Sequence, residues 1–91
     1  MITNDQINKC VEIAKRYGAR RLVLFGSAAH DPATARDIDL LCEGVAGPAF
    51  FEMAGMMEHE SHASVDVVPG VPRTKFVEVN ERRGRMIYDT R

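Results

Sequence analysis

Apolar positions along the chain change their period several times, and each change marks an element. Ile7, Cys10, Val11 and Ala14 recur at helical spacing. Thr3 followed by Gln6 has the form of a capping box, and Tyr17-Gly18 closes the segment. This predicts a first helix. "RRLVLFGS" is a short leucine-rich run ending at Gly26 and reads as a strand. Residues 28–36 are rich in Ala, Asp, Pro and Thr and predict a short helical turn and a loop. "DIDLLCEG" is a second strand, followed by Gly44 and Gly47-Pro48. A second helix is predicted from Pro48 to about Glu60, with Phe50, Met53, Ala54 and Met57 on one face as core filler. "SVDVVPG" is a third strand, stopped by Pro69-Gly70. Thr74 caps a third helix through about Arg83, with Gly84 as its C-terminal stop. "RMIYD" is a last short strand.

The order is α-β-(turn)-β-α-β-α-β. Alternating helices and strands predict an α/β (α+β) fold: a small mixed sheet of about four strands with helices packed against it. Ninety-one residues make one domain, 1–91. With 45% hydrophobic and 27% charged residues the chain falls in the globular range, not the disordered one. No apolar run is long enough to cross a bilayer, and "MITNDQINK" lacks the layout of a signal peptide. A cytoplasmic protein without membrane partners is expected. Cys10 and Cys42 have no CxxC spacing and read as reduced core thiols.

The net charge of −1 makes no global argument for nucleic acid, and no direct nucleic-acid binding is expected. Its distribution is uneven. Seven acidic residues and no Lys or Arg lie between Asp37 and Asp66, and six basic residues follow from Arg73 onward. An acidic centre beside a basic tail suits cations held together with an anionic ligand, although most such charges are solvated helix faces.

The chemistry concentrates in "LFGSAAHDPATARDIDLL". Residues two apart in a strand point the same way, so Asp37 and Asp39 share a face opposite Ile38 and Leu40. Two carboxylates so close raise each other's pKa or share a cation. Hard oxygen ligands suit Mg2+, which completes its shell with water and phosphate oxygens. In "SVDVV", Asp66 stands alone on the face opposite Val65 and Val67. If that strand neighbours the Asp-x-Asp strand, three carboxylates converge. Such a set can hold two divalent ions about 3.5–4 Å apart for in-line phosphoryl displacement. Gly26 lets backbone approach a ligand closely, and Ser27 adds a hydroxyl at the start of a helical turn that can seat a nucleoside triphosphate.

The ordered set of strand, Gly-Ser, nine residues, Asp-x-Asp, strand, helix and an Asp-bearing strand resembles the DNA polymerase β-like nucleotidyltransferase superfamily. It is most similar to the minimal branch, the MNT domains, over nearly the whole chain. The resemblance implies that Gly26 and Ser27 bind phosphate and that Asp37, Asp39 and Asp66 are the catalytic, metal-binding carboxylates. Arg36, beside Asp37, is added as a nucleotide-binding candidate. The implied cofactor is Mg2+, two ions, with Mn2+ as a substitute. The implied reaction is transfer of AMP from ATP to a tyrosine hydroxyl of a partner HEPN-domain toxin, which makes the chain an antitoxin. The alternative is an inactive antitoxin that neutralises by binding alone. Where family members often carry arginine after Gly-Ser, this chain has Ala28, Ala29 and His30. A homo-oligomer is compatible with the sequence.

Other residues invite chemical readings and have plainer ones. His59 and His62 have metal-like spacing but read as solvated helix-end histidines. Tyr88 could accept a nucleotide and reads better as a packed strand aromatic. Arg73 and Lys75 could reach a phosphate and read as surface charges, as does "ERRGR" at 81–85.

Overall fold

The computed structural model describes residues 1–90. In chain order these form α1 (Asn4–Arg16), β1 (Arg21–Phe25), α2 (Ser27–His30), β2 (Asp37–Glu43), α3 (Pro48–Ser61), β3 (Ser64–Pro69), α4 (Lys75–Arg83) and β4 (Arg85–Asp89). The sheet order is β3-β2-β1-β4. β1 is antiparallel to both β2 and β4, whereas β2 and β3 are parallel. The predicted mixed four-stranded sheet is therefore the observed one.

Local chemistry explains the helix starts. Thr3 Oγ1 accepts from the Gln6 amide at 3.2 Å, and Gln6 Oε1 accepts from the Thr3 amide at 2.9 Å. The capping box is real, and it satisfies two amides that the first turn would otherwise leave free. Thr74 Oγ1 accepts from the Val77 amide at 3.2 Å and starts α4 in the same manner. Pro48 opens α3 from the first turn, where its missing N–H costs nothing.

The two faces of the sheet are buried differently. Leu22, Leu24, Ile38, Leu40, Cys42 and Val65 pack under α1 and α3, which contribute Ile7, Cys10, Ile13, Ala14, Phe50, Met53 and Met57. Each such fully buried aliphatic or Met side chain is worth about 1.5–3 kcal/mol, so this layer supplies most of the stability. The methionine stripe is core, as its spacing predicts, although Ala54 is only half-buried. Cys10 and Cys42 are buried free thiols, both pushed up to about 11, chiefly by burial. The second face carries a smaller cluster, Val23, Phe25, Leu41 and Val77, with α4 laid over it.

Gly84 ends α4 for a reason other than the predicted one. Its backbone is extended, with φ −86° and ψ −169°, and does not take the left-handed turn of a glycine stop. A Cβ there would lie 2.5 Å from the Leu24 carbonyl oxygen and 2.7 Å from that of Asn80. The position is kept free of a side chain by the close approach of β1.

Candidate active site

β2 begins at Asp37, and its alternation places Asp37 and Asp39 on the second face while Ile38 and Leu40 enter the main core. β3 runs beside it in parallel, pairing Asp37 with Ser64, Ile38 with Val65 and Asp39 with Asp66. Paired residues of neighbouring strands project from the same face. Asp66 is thus the direct neighbour of Asp39, and three carboxylates occupy one corner of the sheet. The parallel crossover through α3 is what brings them together, because both strands start at the same end.

Asp39 is half-buried, and Asp37 and Asp66 are exposed. Burial raises the Asp39 pKa above its ordinary value, and the charges of Asp66 and Asp37 raise it further. None of the three carboxylates is in an ion pair or hydrogen bond among the described residues. Nor do three metal-ligating side chains close into a cluster there. Three like charges with no paired cation have no electrostatic reason to draw together. The donor chemistry is of the kind Mg2+ takes: hard, unpaired oxygens on one open face, with room for water and phosphate beside them.

Gly26 lies directly against this corner. Its φ is +70°, and a Cβ would sit 2.6 Å from Asp39 Oδ2. Only glycine allows the backbone both this conformation and this approach. Ser27 follows as the first residue of the four-residue α2, exposed, with its hydroxyl in no hydrogen bond among the described residues. The loop before Asp37 is well anchored. The Ile2 amide donates to the Pro32 carbonyl at 2.8 Å, Thr34 Oγ1 donates to Asp31 Oδ2 at 2.8 Å, and Ala35 is buried. Arg36 emerges from it exposed and makes no ion pair among the described residues.

No family model and no curated protein matches the chain. Solved structures do. A chain of a toxin–antitoxin complex with AMP-PNP superposes with a TM-score of 0.79 at 19% identity, covering 98% of this chain and 76% of that one. A chain of the MntA–HepT toxin–antitoxin superposes with a TM-score of 0.74 at 17% identity, covering 97% and 74%. The chain therefore shares the fold of these matched chains of toxin–antitoxin complexes. A third match comes from a complex of a tri-AMPylated Shewanella oneidensis HEPN toxin with its MNT antitoxin. Its TM-score is 0.67 at 18% identity, covering 93% of this chain and 71% of that one. At these identities the likeness is one of fold.

Within this fold several residues matter that the sequence patterns did not single out. Arg21 is buried on the second face, where its Nη1 meets Glu43 Oε2 at 2.6 Å and its Nη2 meets Glu81 Oε1 at 2.7 Å. Glu81 Oε2 in turn accepts from Arg73 Nη1 at 2.7 Å. This relay ties α4 to the sheet and commits Arg73 to Glu81. Glu58, on α3, accepts from the Val65 amide at 3.0 Å and pins the edge strand one residue before Asp66. Such partners are 7 to 60 residues apart in sequence, so no local pattern announces them. His59 and His62 are exposed, and His62 is the left-handed cap of α3. Tyr88 is half-buried, with Lys15 Nζ 5.2 Å from its ring centroid. No helix among the described residues is long and apolar enough to cross a membrane.

Proposed function

We propose that this chain is a Mg2+-dependent nucleotidyltransferase that moves AMP from ATP to a tyrosine hydroxyl of a partner HEPN toxin, and so acts as its antitoxin. The pairing of Asp39 with Asp66 across parallel strands, with Asp37 on the same face, carries the reading. Support comes from the close approach of Gly26 to Asp39. The solved neighbours add a complex containing AMP-PNP and one containing a tri-AMPylated HEPN toxin.

Asp37 and Asp39 would hold the metal, with Asp66 completing a second position. Bound there, Mg2+ supplies charge neutralisation to the triphosphate. Gly26 and Ser27 seat the phosphates by close backbone approach and a hydroxyl donor. Arg36 faces solvent beside Asp37 and offers a further positive group. The acceptor hydroxyl forms a bond to the α-phosphorus, the bond from that phosphorus to the α–β bridging oxygen breaks, and pyrophosphate leaves with the electron pair. Asp66 takes the hydroxyl proton.

The test is incubation of the purified chain with its cognate toxin, Mg2+ and ATP labelled at the α-phosphate. Label on a toxin tyrosine with wild type, and none with Asp39→Ala, supports the reading. Wild type without transfer overturns it. The second reading, neutralisation by binding alone, draws on the lack of arginine in α2, where Ala28, Ala29 and His30 follow Ser27. Under that reading Asp37→Ala and Asp39→Ala still rescue cells that express the toxin.

A further inference from the structure

Phe76 is an apolar ring left half in water, 51% exposed, on the face that carries the carboxylates. It is not loose. Its ring meets that of Phe25 at a centroid distance of 5.8 Å and an interplanar angle of 88°. Phe25 is itself buried, 8% exposed, so the contact fixes Phe76 against the sheet from one side only. Phe25 is also the cross-strand partner of Asp39. Adjacent strands lie about 4.7–4.9 Å apart, so one strand spacing and one ring contact separate Asp39 from Phe76. The Arg21–Glu81 ion pair holds α4 at the other end of β1 and keeps the ring in place.

We propose that Phe76 is the platform on which the base of the donor nucleotide stacks. The inference rests on the nucleotidyltransferase reading above and adds to it how the nucleoside is held. A triphosphate seated at Gly26 and Asp39 extends its ribose and base over the neighbouring surface, and Phe76 is the exposed ring there. Stacking on a flat apolar face is favourable for every base, since each has a π-face. The platform therefore binds the nucleoside without choosing between adenine and guanine.

The chain contains no tryptophan, so Phe76→Trp places a single indole reporter at the site. Magnesium ATP changes its emission, whereas magnesium tripolyphosphate, which lacks a base, does not. By calorimetry Phe76→Ala weakens magnesium ATP binding about 5- to 150-fold, the range for removing one stacked base. It leaves tripolyphosphate affinity within about twofold, which also shows that α4 has kept its place, and Phe76→Tyr retains ATP affinity. Equal losses for ATP and tripolyphosphate in Phe76→Ala overturn the proposal, as does an indole that responds alike to both. Unchanged ATP affinity in Phe76→Ala overturns it too, while leaving the nucleotidyltransferase reading intact. Failure of that reading looks different: wild type binds neither compound with Mg2+, and the platform falls with it.

Discussion

Asp39 and Asp66 stand opposite each other on neighbouring parallel strands, and neither has a cationic partner among the described residues. The burial of Asp39, then the charges of Asp66 and Asp37, raises the Asp39 pKa above its ordinary value. The pair is poor for stability, and holding a divalent cation is the role the proposed function gives it.

Under the proposed function, Asp39→Asn removes a metal ligand and a repulsive charge together. AMP transfer falls at least 100-fold, about 3 kcal/mol in barrier, within the range for a metal's charge stabilisation. The metal-free variant melts higher than wild type at neutral pH. Parallel measurement of label transfer and of Tm in chelator tests both halves.

The pH dependence of that gain has a definite sign. A carboxyl whose folded pKa is raised binds its proton more tightly in the native state, so wild type loses stability as pH rises. The loss begins at the ordinary value, near 3.8, and is complete above the raised one. The Tm advantage of Asp39→Asn is therefore absent at the acid end and grows toward neutrality. A constant difference across a pH series of melts in chelator contradicts the assignment.

Gly26→Ala forces a Cβ to within 2.6 Å of Asp39 Oδ2 at a φ of +70°. The backbone strain alone is about 1–2 kcal/mol, and each kcal/mol lowers Tm by roughly 4–8 °C in a domain of this size. Transfer activity falls more than tenfold because the carboxylate must move. Circular dichroism melts with activity assays on the same preparation decide whether both changes occur.

Arg21→Met leaves Glu43 and Glu81 facing each other without the guanidinium that joins them. Breaking a largely buried pair from one side costs about 3 kcal/mol. Urea unfolding should show that loss. The lowered Glu81 pKa adds a second check. Stability from this carboxylate is present above its ordinary value and lost as pH falls through the lowered one, so Glu81→Gln costs least at acid pH.

Cys10 and Cys42 are buried with thiols pushed up to about 11. Neither is a thiolate at neutral pH, and neither is accessible. A thiol-specific disulfide reagent such as Ellman's should find no reactive group in the native chain and two after denaturation. A fast native reaction at either site refutes the burial.

Element order and type were legible because each depends on neighbours in sequence. The capping box at Thr3 and Gln6, the period-two alternation from Asp37 and the helical spacing of Phe50, Met53 and Met57 are local patterns with local physical causes. The shared face of Asp37 and Asp39 follows from strand geometry alone. Gly84 shows where such reasoning stops, since its need for a missing side chain comes from the Leu24 carbonyl on another strand.

The sequence by itself determined the mixed α/β composition and the Asp-x-Asp face. The tertiary structure decided that β3 lies beside β2 in a register pairing Asp39 with Asp66, that Gly26 rests on Asp39, and that Phe76 meets Phe25. It also decided the Arg21 relay, whose partners come from β2 and α4. Pairing, register and helix docking are set by long-range burial, in which the whole core layer must fit at once, and no short stretch of sequence carries that information.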